Sequence, residues 1–397
     1  MPTRAGWSVL ALGVAVLLVG RLFGWLELFA LGVGTIALVG IAVVLVRART
    51  FALTARRVVR PSRLHVGESA KVELAVANRG RSSTPVVTLR DPVAGTAGAR
   101  VRLAPLSPDK ARQAAYRLPT TARGIIRIGP LEASRTDPLG LARVDRTVSD
   151  TVELVVYPRI HRIAAPPGGR EQPAAVRNRA MIQAARRDTF AGLREYVPGD
   201  DLRLVHWRSS ARTGQLVVRQ DEQPRPQATA VVLDVRRSAH SAASIEQAVS
   251  VAASVVLASQ RAGQEVVLAA TDGTSFLLRP GESPTAVLDY LAVAHLSAFG
   301  SVRATLSGAI GVLGAGSVIF VTGRAVAGEL NNLAASRHGL LVFAVATEGR
   351  ARDATAPAAG GTMRGVRVVE GDSDEHFVAA WDQAMRTAGT GRAPRLA

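Results

Sequence analysis

Residues 228–273 read ATAVVLDVRRSAHSAASIEQAVSVAASVVLASQRAGQEVVLAATDG, and this stretch decides the fold of the second half of the chain. It begins with a short apolar run of strand type. A helical pattern follows, with Ile245, Val249 and Val256 on one face and Gly263 as the stop. A second apolar strand comes next. Strand, helix and strand in this order predict a parallel sheet.

The same alternation continues toward the end of the chain. Further apolar strands are expected at 317–323, 340–346 and 365–371, and helices at 283–296, 331–339 and 374–389. We therefore predict a doubly wound α/β domain over residues 228–397. In such sheets, binding sites lie at the carboxyl ends of the strands.

The first fifty residues predict a transmembrane hairpin (1–50). Residues 7–46 carry only Arg21 and Glu27 as charges, and forty residues are about twice the length that one spanning helix needs. Two spans, about 5–22 and 28–46, place both charges at the turn between them. A cleaved signal peptide followed by one span is the alternative.

The orientation of the hairpin follows from its arginines. Six arginines follow the second span, whereas the turn carries one Arg and one Glu. The positive-inside rule then places the bulk of the chain in the cytoplasm, at the inner membrane. We expect this arginine run, up to Arg63, to lie against anionic lipid.

Residues 51–160 predict an all-β sandwich. Short alternating strands recur at intervals of roughly 8–20 residues and are separated by turn residues. Residues 161–227 are interpreted as a linker, rich in Pro, Gly and Arg, followed by a charged motif.

Composition restricts the chemistry. The chain has no cysteine, which excludes disulfides and thiolate metal sites. Its net charge of +18 comes mostly from arginine and fits either anionic partners or a general preference for Arg over Lys.

The charged motif is LREYVPGDDLRLVHWRSSARTG, residues 193–214. Pro198-Gly199 fits a type II turn, and Asp200 or Asp201 is expected to cap a short helix over 201–213 that Gly214 ends. We treat as candidate site residues its charged, aromatic and turn-forming members: Arg194, Glu195, Tyr196, Pro198, Gly199, Asp200, Asp201, His206, Trp207, Arg208 and Arg212.

Three functions compete for this motif. A hydrolase could pair His206 with Ser210 across one helical turn, although no carboxylate is evident to orient the histidine. A nucleic-acid site would use the arginines, but neighbouring acids cancel them and aromatic residues form only 4% of the chain. The third possibility is a charged network that either docks a protein partner or is purely structural. Docking is consistent with Arg, Trp and Tyr, the residues that interfaces favour.

The motif resembles the signature of the bacterial family called domain of unknown function 58. Upstream segments are similar to that family as well: Arg123-Gly124, Asp137-Pro138-Leu139-Gly140-Leu141 and Val156-Tyr157-Pro158. The resemblance implies a membrane-anchored protein that works with a MoxR-type AAA+ ATPase in protein assembly, metal insertion or stress-linked chaperone work.

The C-terminal domain resembles a von Willebrand factor A domain, which often binds a divalent cation through an Asp-x-Ser-x-Ser loop. In this chain Arg236 replaces the first serine of that loop, which leaves Asp234 and Ser238 as degenerate metal candidates. A guanidinium would repel a cation, so we expect neither a metal nor another cofactor.

These observations predict a non-enzymatic, membrane-tethered adaptor or co-chaperone for a MoxR-type AAA+ ATPase that binds no nucleic acid. The alternatives are an envelope-associated scaffold that needs no ATPase and, third, a hydrolase that uses His206.

Overall fold

The chain forms two compact units, Met1–Tyr157 and Pro158–Ala397. The computed structural model describes residues 1–48, 52–167, 190–198, 205–221, 228–313, 316–324, 341–347, 362–363, 366–371 and 373–390. The hairpin and the predicted sandwich, which the sequence treated as separate segments, form one unit, and that unit ends at Tyr157.

Two antiparallel apolar helices open the first unit: α1 (Arg4–Phe23) and α2 (Leu26–Ala48). Both are long and apolar enough to cross a bilayer, as predicted. Gly6, Gly13 and Gly20 are the buried residues of α1, and a Cβ on Gly20 would collide with the backbone of Phe29. Gly13 and Gly20 face α2, and small residues there let the two backbones approach closely, which is how apolar helices associate in lipid.

The β-domain (residues 52–157) confirms the prediction of a β-rich fold. Its hydrogen-bonded sheets have the orders β1-β3-β6, β2-β10-β7 and β5-β4-β8-β9. Alternate residues of the long strand β3 are buried, as a half-covered sheet requires. The strands are β1 (Leu53–Arg60), β2 (Arg63–His65), β3 (Ser69–Asn78), β4 (Val87–Asp91), β5 (Ala99–Leu103), β6 (Ala111–Pro119), β7 (Gly124–Ile128), β8 (Leu131–Thr136), β9 (Arg143–Ser149) and β10 (Val152–Tyr157).

One arginine of the expected lipid-facing run lies inside this domain instead. The Arg57 guanidinium is fully buried and pairs with both carboxylate oxygens of Asp91. It also donates to the backbone oxygens of Ile128 and Asp150, and the Tyr116 hydroxyl donates to Asp91. Burial, and then this donation, raise the pKa of Tyr116. Arg57 therefore holds strands together and does not bind lipid.

A seven-stranded sheet forms the centre of the second unit, with the order β15-β14-β13-β16-β17-β19-β18. The five central strands are parallel, as predicted, and an antiparallel strand closes each edge. The strands are β13 (Ala228–Leu233), β14 (Glu265–Ala270), β15 (Ser275–Leu278), β16 (Gly316–Thr322), β17 (Leu341–Ala346), β18 (Thr362–Met363) and β19 (Val366–Glu370). A separate hairpin consists of β11 (Phe190–Glu195) and β12 (Val217–Asp221).

Helices cover both faces of the sheet. The described helices of this unit are α3 (Trp207–Thr213), α4 (Ala242–Arg261), α5 (Thr285–Val293), α6 (Val302–Leu313) and α7 (Asp374–Thr390). Leu306 of α6 packs with Val232 and Phe320 on one face, while Trp381 of α7 stacks against Phe343 on the other. Helix α4 is also apolar enough to span a membrane, but it is buried against the sheet.

The first ten residues after the boundary, 158–167, pack as a strap on the α/β domain. His161 donates its N–H to Ser254 of α4, and its ring lies 3.4 Å from Asp374 of α7. The Trp381 indole donates to the oxygen of Ala164. The predicted linker (161–227) thus begins as a packed segment, and its part at 168–189 lies outside the described residues.

Candidate functional site

The charged motif and its flanking residues form two strands and a short helix. We call this region the signature module (residues 190–198 and 205–221). Strands β11 and β12 pair antiparallel, and the Tyr196 N–H extends the pairing by donating to the oxygen of Leu216. On the other edge of β12, Val205 bridges Val218 and the His206 N–H donates to Val217. The chain then turns into α3.

His206 is the N-cap of α3, which corrects the expectation of a helix over 201–213. Val205 is engaged in a strand bridge, so the helix begins at Trp207. The Nδ1 atom of His206 accepts the Ser209 N–H at 3.3 Å and contacts the Ser209 hydroxyl at 2.9 Å. The predicted caps, Asp200 and Asp201, and the turn residue Gly199 lie outside the described residues. Gly214 ends the helix in a left-handed conformation, as predicted.

The structure uses Ser210 differently from the pairing with His206 that a hydrolase would need. The Ser210 side chain is buried; its hydroxyl donates to the backbone oxygen of His206 and accepts the N–H of Val217. Ser209 takes the place beside the ring. Both serines therefore satisfy backbone or capping groups at the start of a short helix.

Among the remaining candidates whose side chains the structure describes, all but Tyr196 are exposed. Trp207 is 65% exposed, and the apolar side chains of Val197 and Leu216 are exposed in the same module. Arg208 and Arg212 are exposed on α3. Glu195 and Pro198 are exposed and Tyr196 is half-buried, whereas Arg194 lies in β11. The module offers a large aromatic side chain and two exposed arginines on one short helix, a composition typical of protein interfaces.

A second cluster forms where β13, β14 and β16 end. The carboxylate of Asp234 is fully buried and receives a two-pronged ion pair from Arg236, with Nε–Oδ1 and Nη2–Oδ2 distances of 2.9 and 2.7 Å. Thr271 and Thr322 donate their hydroxyls to the same carboxylate. The guanidinium is 23% exposed. Ser238, the other degenerate metal candidate, is exposed.

Sequence reasoning missed two members of this cluster. It treated Arg236 as a cation that would repel a metal, yet the structure makes it the partner of Asp234. The run Thr271-Asp272-Gly273 is by sequence alone most simply a turn, yet the Thr271 hydroxyl donates to Asp234. Thr271 comes directly after the buried strand β14, and Arg236 lies three residues beyond the end of β13; these positions near strand ends were the available signal. Among the described residues, no group of three or more His, Asp or Glu side chains is placed to hold a metal ion.

These features define a protein with a hairpin suited to anchoring in a membrane, a β-rich domain and an α/β domain that carries an exposed aromatic turn. Residues 192–386 match the family model described as "Protein of unknown function DUF58", which confirms the predicted resemblance over this range.

The chain is also similar to a curated protein. The chain is 28% identical over 190 residues to "Uncharacterized protein YeaD" of Bacillus subtilis (strain 168). The match covers 46% of this chain and 46% of that protein, so the chain spans about half of the relative's length.

Two of the solved structures that are similar to the chain each cover 27% of it. The CARDB domain of the PF1109 protein from Pyrococcus furiosus, in complex with di-metal ions, is 20% identical with a TM-score of 0.22 over 27% of this chain and 93% of that chain. The β-glucosidase from Listeria innocua, in complex with glucose, is 15% identical with a TM-score of 0.19 over 27% of this chain and 16% of that chain. Scores this low support no inference about fold or function.

Proposed function

We propose that this protein is a non-enzymatic, membrane-tethered adaptor or co-chaperone whose signature module docks a protein partner. The observation that carries the proposal is the exposed Trp207 at the start of α3. The polar side chains around it, His206 and Ser210, are hydrogen-bonded within the module. An indole left in water at 65% exposure gives a partner a large apolar anchor. Arg208 and Arg212, exposed on the same helix, favour an acidic partner surface.

The proposed partner is a MoxR-type AAA+ ATPase, which the family resemblance implies. The anchor would lie in the inner membrane with the rest of the chain in the cytoplasm, where nucleotide is present. The α/β domain would be of the von Willebrand factor A type, in keeping with its parallel sheet and with Asp234 at the end of its first strand.

Co-purification tests the partner and locates its docking surface. The full-length protein is isolated in mild detergent with nucleotide, as wild type, Trp207→Ala and Phe299→Ala. Phe299 is the matched control, because it is an 85% exposed aromatic residue on the loop that adjoins the strand-end cluster. Neither substitution removes a buried contact, so circular dichroism and thermal unfolding should be unchanged.

We expect the ATPase to accompany the wild type and Phe299→Ala but not Trp207→Ala. Loss with Phe299→Ala alone would move the docking surface to the strand ends. If no ATPase accompanies the wild type, the ATPase-independent scaffold becomes the better proposal.

The geometry of His206 favours a structural role over a hydrolytic one. The 2.9 Å distance between its Nδ1 and the Ser209 hydroxyl would suit a nucleophile and its base. The same nitrogen, however, accepts the N–H of Ser209, which is the arrangement of a helix cap. We therefore propose no catalytic role for the motif, and no binding of nucleic acid.

We also propose that the strand-end cluster needs no metal, because the Arg236 guanidinium already neutralises Asp234. Two charge-assisted hydrogen bonds and two hydroxyl donors occupy the carboxylate oxygens that a divalent cation would require. Isothermal titration with Mg²⁺ or Mn²⁺ should show no binding by the wild type. Saturable binding at this site would contradict the proposal.

A further inference from the structure

The turn between β8 and β9 attaches the β-domain to the membrane hairpin. Thr3, the N-cap of α1, donates its N–H to the oxygen of Leu141 and its hydroxyl to the oxygen of Gly140. Leu141 and Ala142 form one buried cluster with the α2 side chains Val39, Ala42 and Val46. This turn, residues 137–142, is the Asp-Pro-Leu-Gly-Leu segment of the family resemblance, extended by Ala142.

The polar groups of this turn are largely satisfied inside the protein. The buried Asp137 carboxylate accepts the N–H groups of Leu139 and Ala142. The backbone of Asp137 exchanges further bonds with Gly140 and Ala142. The oxygens of Gly140 and Leu141 are the acceptors for Thr3 described above. Non-helical backbone is tolerated at membrane depth only when its polar groups are paired in this way.

The depth of the turn follows from the length of α2. Its 23 residues span roughly 35 Å, against a hydrocarbon thickness of about 30 Å, so only about three residues can lie outside the hydrocarbon. Val39 precedes Arg47, the cation at the end of α2, by roughly 12 Å along the axis. The cluster that contains Leu141 and Ala142 therefore reaches into the acyl region.

The side chains on the outer surface of the turn suit that environment. Pro138 and Leu139 are exposed, and Leu139 exposes 63% of its area. The ionic groups lie at the base of the turn: the Met1 ammonium donates to the oxygen of Arg143, and the Arg143 side chain pairs with Asp145 at 2.7 Å. This order, from charged base to apolar tip, follows the polarity gradient of a bilayer leaflet.

We propose that the 137–142 turn inserts into the bilayer leaflet on the side of Arg4 and Arg47, with Leu139 in contact with acyl chains. The β-domain then rests on the membrane through a second apolar element beside the hairpin. This inference rests on the membrane anchor of the proposed function. It is independent of the ATPase.

Site-specific fluorescence quenching tests the insertion, because the chain has no cysteine to remove. Single cysteines replace Leu139, Pro138, Leu18, Val86 or Ile125 in the full chain and carry an environment-sensitive NBD label. The variants are reconstituted in phosphatidylethanolamine–phosphatidylglycerol vesicles with lipids that bear a nitroxide on the acyl chain. Leu18 is an exposed residue of α1, and Val86 and Ile125 are exposed apolar residues of the β-domain.

We expect labels at Leu139→Cys and Pro138→Cys to be quenched like the label at Leu18→Cys. Labels at Val86→Cys and Ile125→Cys should be quenched at least threefold less. Quenching at 18 without quenching at 138 and 139 would overturn the insertion and leave the anchor intact. An unquenched label at 18 would overturn the anchor and the insertion together, and equal quenching at all five positions would also count against the insertion.

Discussion

The 137–142 turn of the β-domain and the start of α3 in the signature module are built alike but present different surfaces. In each, one polar side chain accepts backbone N–H groups from within, Asp137 in the first and His206 in the second. Each leaves a large apolar side chain outside, Leu139 at 63% and Trp207 at 65% exposure. In both turns the polar side chain is hydrogen-bonded to the local backbone and stabilises the turn.

The difference between the two turns lies in their neighbours. Leu139 follows a proline and precedes glycine, leucine and alanine, and its turn contacts the apolar hairpin. Trp207 is followed by Arg208, and Arg212 lies one turn further along the same helix. A turn whose exposed side chains are apolar suits lipid, whereas a helix that exposes an indole and two guanidinium groups suits an acidic protein surface.

The largest effect is expected from Asp137→Ala. It removes the buried acceptor of two N–H groups in the 137–142 turn and should lower the free energy of unfolding by about 3 kcal/mol. Asp150→Ala, a change at an exposed carboxylate of the same domain, should stay within about 0.5 kcal/mol. The two variants are compared by thermal unfolding in the same detergent. Equal stability would contradict the role of Asp137 in stabilising the turn.

Gly6→Ala tests the contact between this turn and α1. A Cβ at Gly6 would collide with the oxygen of Leu141, so the turn must move. We expect this movement to lower the free energy of unfolding by about 2 kcal/mol. Gly34→Ala is the matched control, because a Cβ there meets nothing within 4 Å. The Leu139 label should lose its quenching in the first variant and keep it in the second. Unchanged quenching in both would contradict the described docking of the turn.

His206→Ala should weaken the signature module by about 1 kcal/mol, the usual contribution of an N-cap. His206→Asn should keep most of the stability, since an amide oxygen can accept the Ser209 N–H. Both can be measured by hydrogen exchange of the α3 amides and by co-purification of the partner. A loss of function in His206→Asn without any loss of protection would instead favour a chemical role for the imidazole.

A pH dependence outside both turns is expected from the strap. Burial lowers the pKa of His161 below its ordinary value of 6.5, although Asp374 opposes the shift, and Arg159 lowers the pKa further. The unfolded chain therefore binds more protons below about pH 6.5, and the second unit should lose stability as the pH falls from 6.5 through the lowered pKa. His161→Asn should flatten the pH dependence of thermal unfolding. If His161→Asn leaves the pH dependence of thermal unfolding unchanged, His161 is not its cause.

The sequence predicted the regular parts of the fold well, because their periodicity is strong. The two spans, the alternating strands of the β-domain and the parallel strands from Ala228 onward follow from hydrophobic patterns alone. It missed β15, which is four residues long, and α6, whose pattern contains Gly308 and Gly311. Short elements and helices interrupted by glycine give weak local signals.

The candidate site was predicted less well, because its geometry depends on long-range pairing. No local pattern says that Val205 bridges Val218, and that bridge is what moves the helix start to Trp207 and brings Ser209, rather than Ser210, to His206. The burial of Arg57 likewise depends on Asp91, thirty-four residues away in the chain. Charges in a sequence do not show which of them fold inward.

The most direct test of the account is the affinity of a purified MoxR-type ATPase from the same organism for the full-length protein in lipid nanodiscs. Wild type, Trp207→Ala and Leu139→Ala would be compared with nucleotide present. We predict that Trp207→Ala weakens binding about thirtyfold, the effect of losing roughly 2 kcal/mol at an interface anchor, and that Leu139→Ala binds like the wild type. Equal affinity of all three proteins would contradict the assignment of the signature module as the docking surface.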